Sequence, residues 1–196
     1  MTAAFRQSFP LRADRVHEVY GAGRAGFAAV ACARAEGALF WLREGWREEA
    51  LNPVGLSRFF DPERLLVVEA RNQADLLASA EEALRDGSLG LAVLETSRPL
   101  GLTEGRRLQL AARAGRTTGL CLIPEGMGSN AAESRWHAAP LYDPEGLEDS
   151  TLMRWSLIKN KSGTTGAWDV RWDHASRRIA VVSPVGERPG SAGAPG

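Results

Sequence analysis

Gly21-Ala22-Gly23-Arg24-Ala25-Gly26-Phe27-Ala28 is the stretch on which the fold of this chain turns. A phosphate-binding loop reads G-x-x-x-x-G-K-[ST]. Its glycines let backbone N–H groups curl round phosphates, its lysine reaches the terminal phosphates, and its hydroxyl holds Mg²⁺. Gly21 and Gly26 keep that frame, but Phe27 stands where the lysine belongs and Ala28 where the hydroxyl belongs. Arg24 is the one cation left inside the stretch. The same residues also spell Gly21-x-Gly23-x-x-Gly26, the dinucleotide fingerprint, so the frame alone leaves two nucleotide folds open. Both need a strand before the loop and a helix after it.

The flanking sequence supplies both. Val16–Tyr20 is a short strand, and Phe27, Val30, Ala31 and Ala35 follow at helical spacing until Gly37. Further out, Ala38–Leu42 reads as a strand ending in Arg43-Glu44, and Leu65–Val68 as another. Leu76, Leu77, Ala80 and Leu84 mark one face of a helix from Gln73 to Asp86, closed by Gly87. Leu89–Leu94 is a strand ending in Glu95, Thr103 caps a helix through Arg113, and Gly119–Ile123 is the next strand. Continuous apolar strands separated by amphipathic helices specify a parallel sheet covered on both faces. In the last third, Arg154–Lys161, Trp168–Asp173 and Arg177–Ser183 follow without helices between them, the last two joined by the turn Asp173–Ser176. The expected fold is α/β: a mostly parallel sheet extended by C-terminal antiparallel strands. The core spans 16–183, preceded by an extended arm over 1–15 and followed by a Gly/Pro-rich disordered tail over 184–196.

Composition narrows the function. Twenty-four basic and 24 acidic residues cancel, which removes any global attraction to nucleic acid or an anionic membrane while leaving room for a local basic patch. Cys32 and Cys121 sit in apolar runs and read as buried free thiols. The three histidines are scattered, with no zinc-ligand spacing, so no metal is expected. With no apolar run long enough to span a bilayer and no leader-like N-terminus, the expected setting is soluble and cytoplasmic.

Open α/β sheets bind ligands at the carboxyl ends of their parallel strands. Glu44, Glu95 and Glu125 each fall at or just past such an end. They read either as a ring of acids serving an NTPase or as ordinary charged strand ends. Lys159 and Lys161, at i and i+2, point to one face, for an anionic partner or simply for solubility. Trp155, Trp168 and Trp172 alternate as core residues would.

The succession of glycine loop, strand with terminal Glu44, strand ending in Glu95, strand leading to Glu125 and strand ending Lys159-Asn160-Lys161 resembles the core of RecA-type recombinases. Arg106–Ala112, Ser134-Arg-Trp-His137, and Trp155–Lys161 followed by Gly166-Ala-Trp168 bring the chain closer to the ImuA family, RecA-related mutagenesis proteins of bacterial SOS cassettes. The resemblance covers roughly 16–183 and implies a RecA-like, P-loop NTPase-type core. It places Gly21 to Ala28 at the Walker A loop without its lysine and hydroxyl, Glu44 at the catalytic glutamate, and Glu95 at the Walker B acid. Glu125 takes a γ-phosphate sensor position that recombinases fill with glutamine. Lys159 and Lys161 match the pair that reaches a neighbouring protomer's nucleotide. The DNA-binding loop shrinks to about 126–134 without a basic cluster, and the recombinases' polymerising N-terminal helix and C-terminal domain have no counterpart in this length.

The reading that results is a non-catalytic accessory protein of error-prone translesion synthesis that needs no cofactor and binds DNA weakly or indirectly. The partners implied are an ImuB-like, catalytically degenerate Y-family polymerase homologue, RecA, and an error-prone replicative-type DNA polymerase. Two rivals are an active DNA-dependent RecA-like ATPase and a Rossmann-type oxidoreductase. The ATPase would need more charge at the phosphates than Arg24 supplies. The oxidoreductase has Glu44, 23 residues past Gly21, as its ribose acid, but a half-polar first strand and no Tyr–Lys pair at Tyr20 or Tyr142.

Overall fold

The computed structural model describes residues 3–143 and 150–185. A helix α1 (Ala3–Ser8) precedes β1 (Val16–Tyr20), α2 (Arg24–Arg34), β2 (Ala38–Glu44), α3 (Pro53–Ser57), β3 (Leu65–Ala70), α4 (Gln73–Asp86) and β4 (Leu89–Glu95). Then come α5 (Leu102–Gly115), β5 (Thr118–Leu122), β6 (Ser134–Pro140), β7 (Ser150–Asn160), β8 (Gly166–Asp173) and β9 (Arg178–Val185). Asn72 caps α4 by accepting from the Asp75 N–H, and the Glu104 carboxylate accepts from the Gly101 N–H at the start of α5. The helix placed from a Thr103 cap is capped at Gly101 and thus begins two residues earlier.

Among the described residues nine strands form one sheet in the order β3-β2-β4-β5-β1-β6-β7-β8-β9. From β3 to β6 every pairing is parallel; β7, β8 and β9 add on antiparallel. This is the α/β, RecA-like plan expected from the sequence. It excludes the Rossmann alternative, whose order 3-2-1-4-5-6 seats the first strand between the second and fourth. Here β5 and β6 flank β1.

The sheet buries two cores. On one face Val19, Trp41, Val93, Leu120, Trp136, Trp155 and Trp172 form a cluster with Phe27 and Val30 of α2, and Phe59 stacks on Trp172; on the other, α4 and α5 cover Leu42, Ala92, Leu94 and Cys121. The tryptophans of β7 and β8 are core residues, as their alternation predicts, and both cysteines are free and buried. Burial pushes the Cys32 thiol up to about 12 and raises Cys121 further, which leaves both unreactive.

The short helix α3 falls where no element was expected, and two further elements depart from expectation. β6 was not expected as a strand, yet it joins the parallel and antiparallel halves. Part of the extended arm is the helix α1, and it is docked: Phe5 and Phe9 are almost fully buried against Trp155, Trp168 and Phe27. Two phenylalanines four apart lie on one helical side and add to an aromatic cluster, which orders a segment too short to be helical alone. At the other end β9 continues through Val185, so 184 and 185 belong to the sheet; the rest of the expected tail, 186–196, lies outside the described residues.

Candidate functional site

The glycine stretch sits at the carboxyl end of β1, but it does not form an open cradle. Only residues 21–23 separate β1 from α2, so Gly26 already lies in the first helical turn. Gly21 has φ +95°, and a methyl group there would stand 2.5 Å from the Ala138 carbonyl oxygen and 2.7 Å from the His137 ring. At Gly23 the same group would be 3.0 Å from the Ala138 carbonyl carbon, and at Gly26 3.0 Å from the Met153 Sδ. Close packing on β6 therefore requires glycine at 21 and leaves little room at 23, while Gly26 faces only the flexible end of Met153 on β7. The Gly23 N–H donates to the Ala138 carbonyl at 2.8 Å, and the Arg24 N–H to the Gly21 carbonyl at 3.2 Å. Arg24's guanidinium folds back towards the same Gly21 carbonyl, 3.5 Å away.

Phe27 and Ala28 are fully buried. The Phe27 ring lies 4.4 Å from that of Trp155 and 5.4 Å from that of Trp136. The position at which a P-loop places its phosphate-binding lysine thus faces the protein interior.

The three acids lie along one edge of the sheet without joining. Glu95 accepts from Trp41 Nε1 at 2.6 Å and lies 3.7 Å from the Arg47 guanidinium. Glu44 and its neighbour Arg43 are each only 3% exposed; Glu44 Oε2 and Arg43 Nε have no hydrogen-bond partner among the described residues. Glu125 is exposed beside a cavity of about 260 Å³ that Tyr20, Met127, Arg135 and Ile158 also line. No hydrogen bond or ion pair links any two of these acids.

Lys159 and Lys161 do share a side, as their spacing requires, and both are engaged within their own chain. Lys159 Nζ donates to the carbonyls of Asn130 (2.8 Å) and Ser129 (3.3 Å), and Lys161 Nζ to that of Ala131 (2.8 Å). They brace the β5–β6 loop, 123–133. Partial burial holds the Lys159 ammonium below its ordinary range, with the charges of Lys161 and Arg135 acting the same way.

No family model matches the chain. ImuA proteins from two strains of Caulobacter vibrioides are each 32% identical to it over 150 residues, which is 69% of this chain and 60% of the relative. The chain belongs to the ImuA family. It spans about 60% of the length of these relatives.

In this ImuA-family chain two buried polar networks flank β1, and neither was foreseen from the sequence. On the α5 side, Glu18 is 1% exposed and takes the Ser129 N–H and Arg135 Nε, each at 2.8 Å, while Arg135 also donates to the Ser129 carbonyl. It ties the braced loop to the central strand. On the α1 side, His17 Nε2 lies 2.9 Å from the Arg12 carbonyl, which only accepts, so the ring proton sits on Nε2. Nδ1 then accepts from the Ser134 hydroxyl at 2.6 Å, and that oxygen accepts from Trp136 Nε1 at 3.0 Å. Burial lowers the His17 pKa to about 4 and keeps the ring neutral. The alternation of charge inside β1 (Val-His-Glu-Val) was the one available signal that both faces of this strand are polar-lined. Among the described residues no three His, Cys, Asp or Glu side chains gather as a metal site would need, and no helix is long and apolar enough to cross a membrane.

Proposed function

We propose that this chain is a non-catalytic, RecA-like accessory protein of SOS-induced, error-prone translesion DNA synthesis, acting in the cytoplasm through protein–protein contacts. The observation that carries the reading is the closed glycine loop. The Gly23 N–H is spent on Ala138, the Arg24 N–H on Gly21, and Phe27 is locked among tryptophans, so the loop withholds these donors and carries no lysine at the helix start, where a phosphate needs both. Kinship with ImuA proteins supports the setting. The partners are an ImuB-like Y-family polymerase homologue, RecA and an error-prone replicative-type polymerase, with DNA contact weak or indirect and no nucleotide cofactor. Lys159 and Lys161 serve the partner surface by holding the 129–131 backbone in shape.

Melting curves with and without millimolar MgATP test the loop. A site saturated at about 100 times its Kd would add about 2.7 kcal/mol, or roughly 5–11 °C for a chain of this size. Superimposed curves with MgATP, together with capture of purified ImuB-like protein or RecA by the immobilised chain, are the expected result. A raised midpoint refutes the closed, nucleotide-free reading of the loop. Wild-type partner affinity in a Lys159→Ala/Lys161→Ala double variant would remove the lysines from the contact.

A further inference from the structure

The chain is neutral as a whole, but its charges are segregated. α4 holds Asp75, Glu81, Glu82 and Asp86 against Arg85, whereas α5 and its cap hold Arg106, Arg107, Arg113 and Arg116 against Glu104. Arg107 is tied to Glu81 at 2.7 Å, but Arg106 and Arg113 have no ion-pair partner among the described residues. Between these two, on the same outer face, Leu110 is 67% exposed, and Leu102 one turn before Arg106 is 48% exposed. Beside Leu110 opens a groove of about 240 Å³ walled by Arg15, Gln109, Arg113 and Lys161, with Ala131 in the lining.

The groove is rigidly built. The Gln109 amide donates to the Val16 carbonyl at 2.7 Å and accepts the Val16 N–H at 3.2 Å, locking α5 to the first residue of β1. Lys161 is anchored on a neutral carbonyl, so its charge is not compensated. Glu133 is the one acid in the lining, and it is already satisfied by Arg12 at 3.1 Å, by Arg15 and by Ser162. An exposed leucine beside the unpaired guanidinium groups of Arg106 and Arg113 and the Lys161 ammonium has a definite complement.

We propose that the outer face of α5 and this groove dock an acidic segment of a partner protein, one that sets an apolar side chain against Leu110 and carboxylates against Arg106, Arg113 and Lys161. Carboxylates satisfy arginine forks in pairs. A nucleic-acid backbone would use the cations but gains nothing from Leu110, and no aromatic ring lines the groove on which a base could stack. The face lies at the amino end of β1, opposite the glycine loop, and the proposal needs nothing from the reading of that loop.

The probe is a fluorescein-labelled peptide in which one leucine is flanked on both sides by aspartates and glutamates, followed by fluorescence anisotropy with the whole chain. Saturable binding is expected. It should weaken about tenfold when the peptide's leucine becomes serine, and about as much in Leu110→Ala, because an apolar contact is lost. Arg113→Glu should weaken it about tenfold or more while the melting temperature stays put, and salt should weaken it further. A single-stranded oligonucleotide of equal net charge should fail to displace the peptide. Absence of saturable binding, or wild-type affinity in both variants, overturns the proposal. Displacement by the oligonucleotide also overturns it and makes the face a phosphate-reading surface.

Discussion

Gly21→Ala separates a structural glycine from a ligand-binding one. Two costs act on the substitution. The backbone at φ +95° is a conformation that an L-residue enters at roughly 1–2 kcal/mol. The new methyl would also press to 2.5 Å from the Ala138 carbonyl oxygen, and forcing apart packed backbone costs roughly 1–3 kcal/mol. Together the loss is about 3 kcal/mol, a fall in Tm of roughly 6–12 °C. Gly37→Ala supplies the internal control, since Gly37 also has a positive φ, +75°, yet has no atom within 4 Å of the added methyl. It should cost the dihedral share alone, about 1 kcal/mol. Urea denaturation of the three proteins without nucleotide measures both terms. Equal destabilisation by the two variants, or a Gly21→Ala midpoint within a degree of wild type, would show that the loop is not packed on β6 and would reopen the phosphate-binding reading.

Installing a Walker A lysine and hydroxyl with Phe27→Lys/Ala28→Thr should not create a phosphate site. Phe27 is fully buried among Phe9, Trp136 and Trp155, so the double variant should lose at least about 3 kcal/mol in urea unfolding and show no MgATP-dependent rise in midpoint; wild-type stability with a gained MgATP response would contradict this. His17 predicts an acid limb in the stability curve. Its folded pKa of about 4 lies below the unfolded 6.5, so the unfolded chain binds the extra proton first. Stability is whole above pH 6.5 and falls by about 3 kcal/mol as pH drops towards 4. Glu133, held below the ordinary carboxylate range by Ser162 and Arg12 against the opposing effect of burial, adds its own loss only at lower pH. His17→Gln should flatten the limb between pH 6.5 and 4, and an unchanged slope in that variant would place the proton uptake elsewhere.

The central parallel strands were legible because they are buried on both faces, and Leu89–Leu94 or Gly119–Ile123 can be little else. β6 was hidden for the opposite reason. Ser134-Arg-Trp-His-Ala-Ala-Pro140 buries only alternate residues and contains no β-branched side chain, so its strand character comes from pairing with β1 and β7. α1 was hidden because Phe5 and Phe9 find their partners about 150 residues away, beyond any local signal. The lysine spacing correctly gave a shared side, but the carbonyls of 129–131 that receive both ammonium groups belong to another part of the chain. The glycines were ambiguous at root. A backbone that must touch a phosphate and one that must touch a neighbouring strand both exclude a Cβ, and the sequence records only the exclusion.

That ambiguity resolves through β6, and the resolution links losses that look independent in the sequence. β6 pairs with β1 and carries on past its end, which brings the Ala138 carbonyl to the Gly23 N–H. With that bond made, α2 starts at Arg24, and its first turn is set down on Met153 and Trp155 of β7. The residue at position 27 then points into the aromatic cluster, where a lysine would bury an unpaired charge and phenylalanine fills the space. Ala28 follows into the same interior, where a threonine hydroxyl would need a partner. Phe27 and Ala28 are thus the side chains that a closed loop demands. With the Gly23 N–H given to Ala138, a loop open to phosphate would need the frame itself to lift off β6.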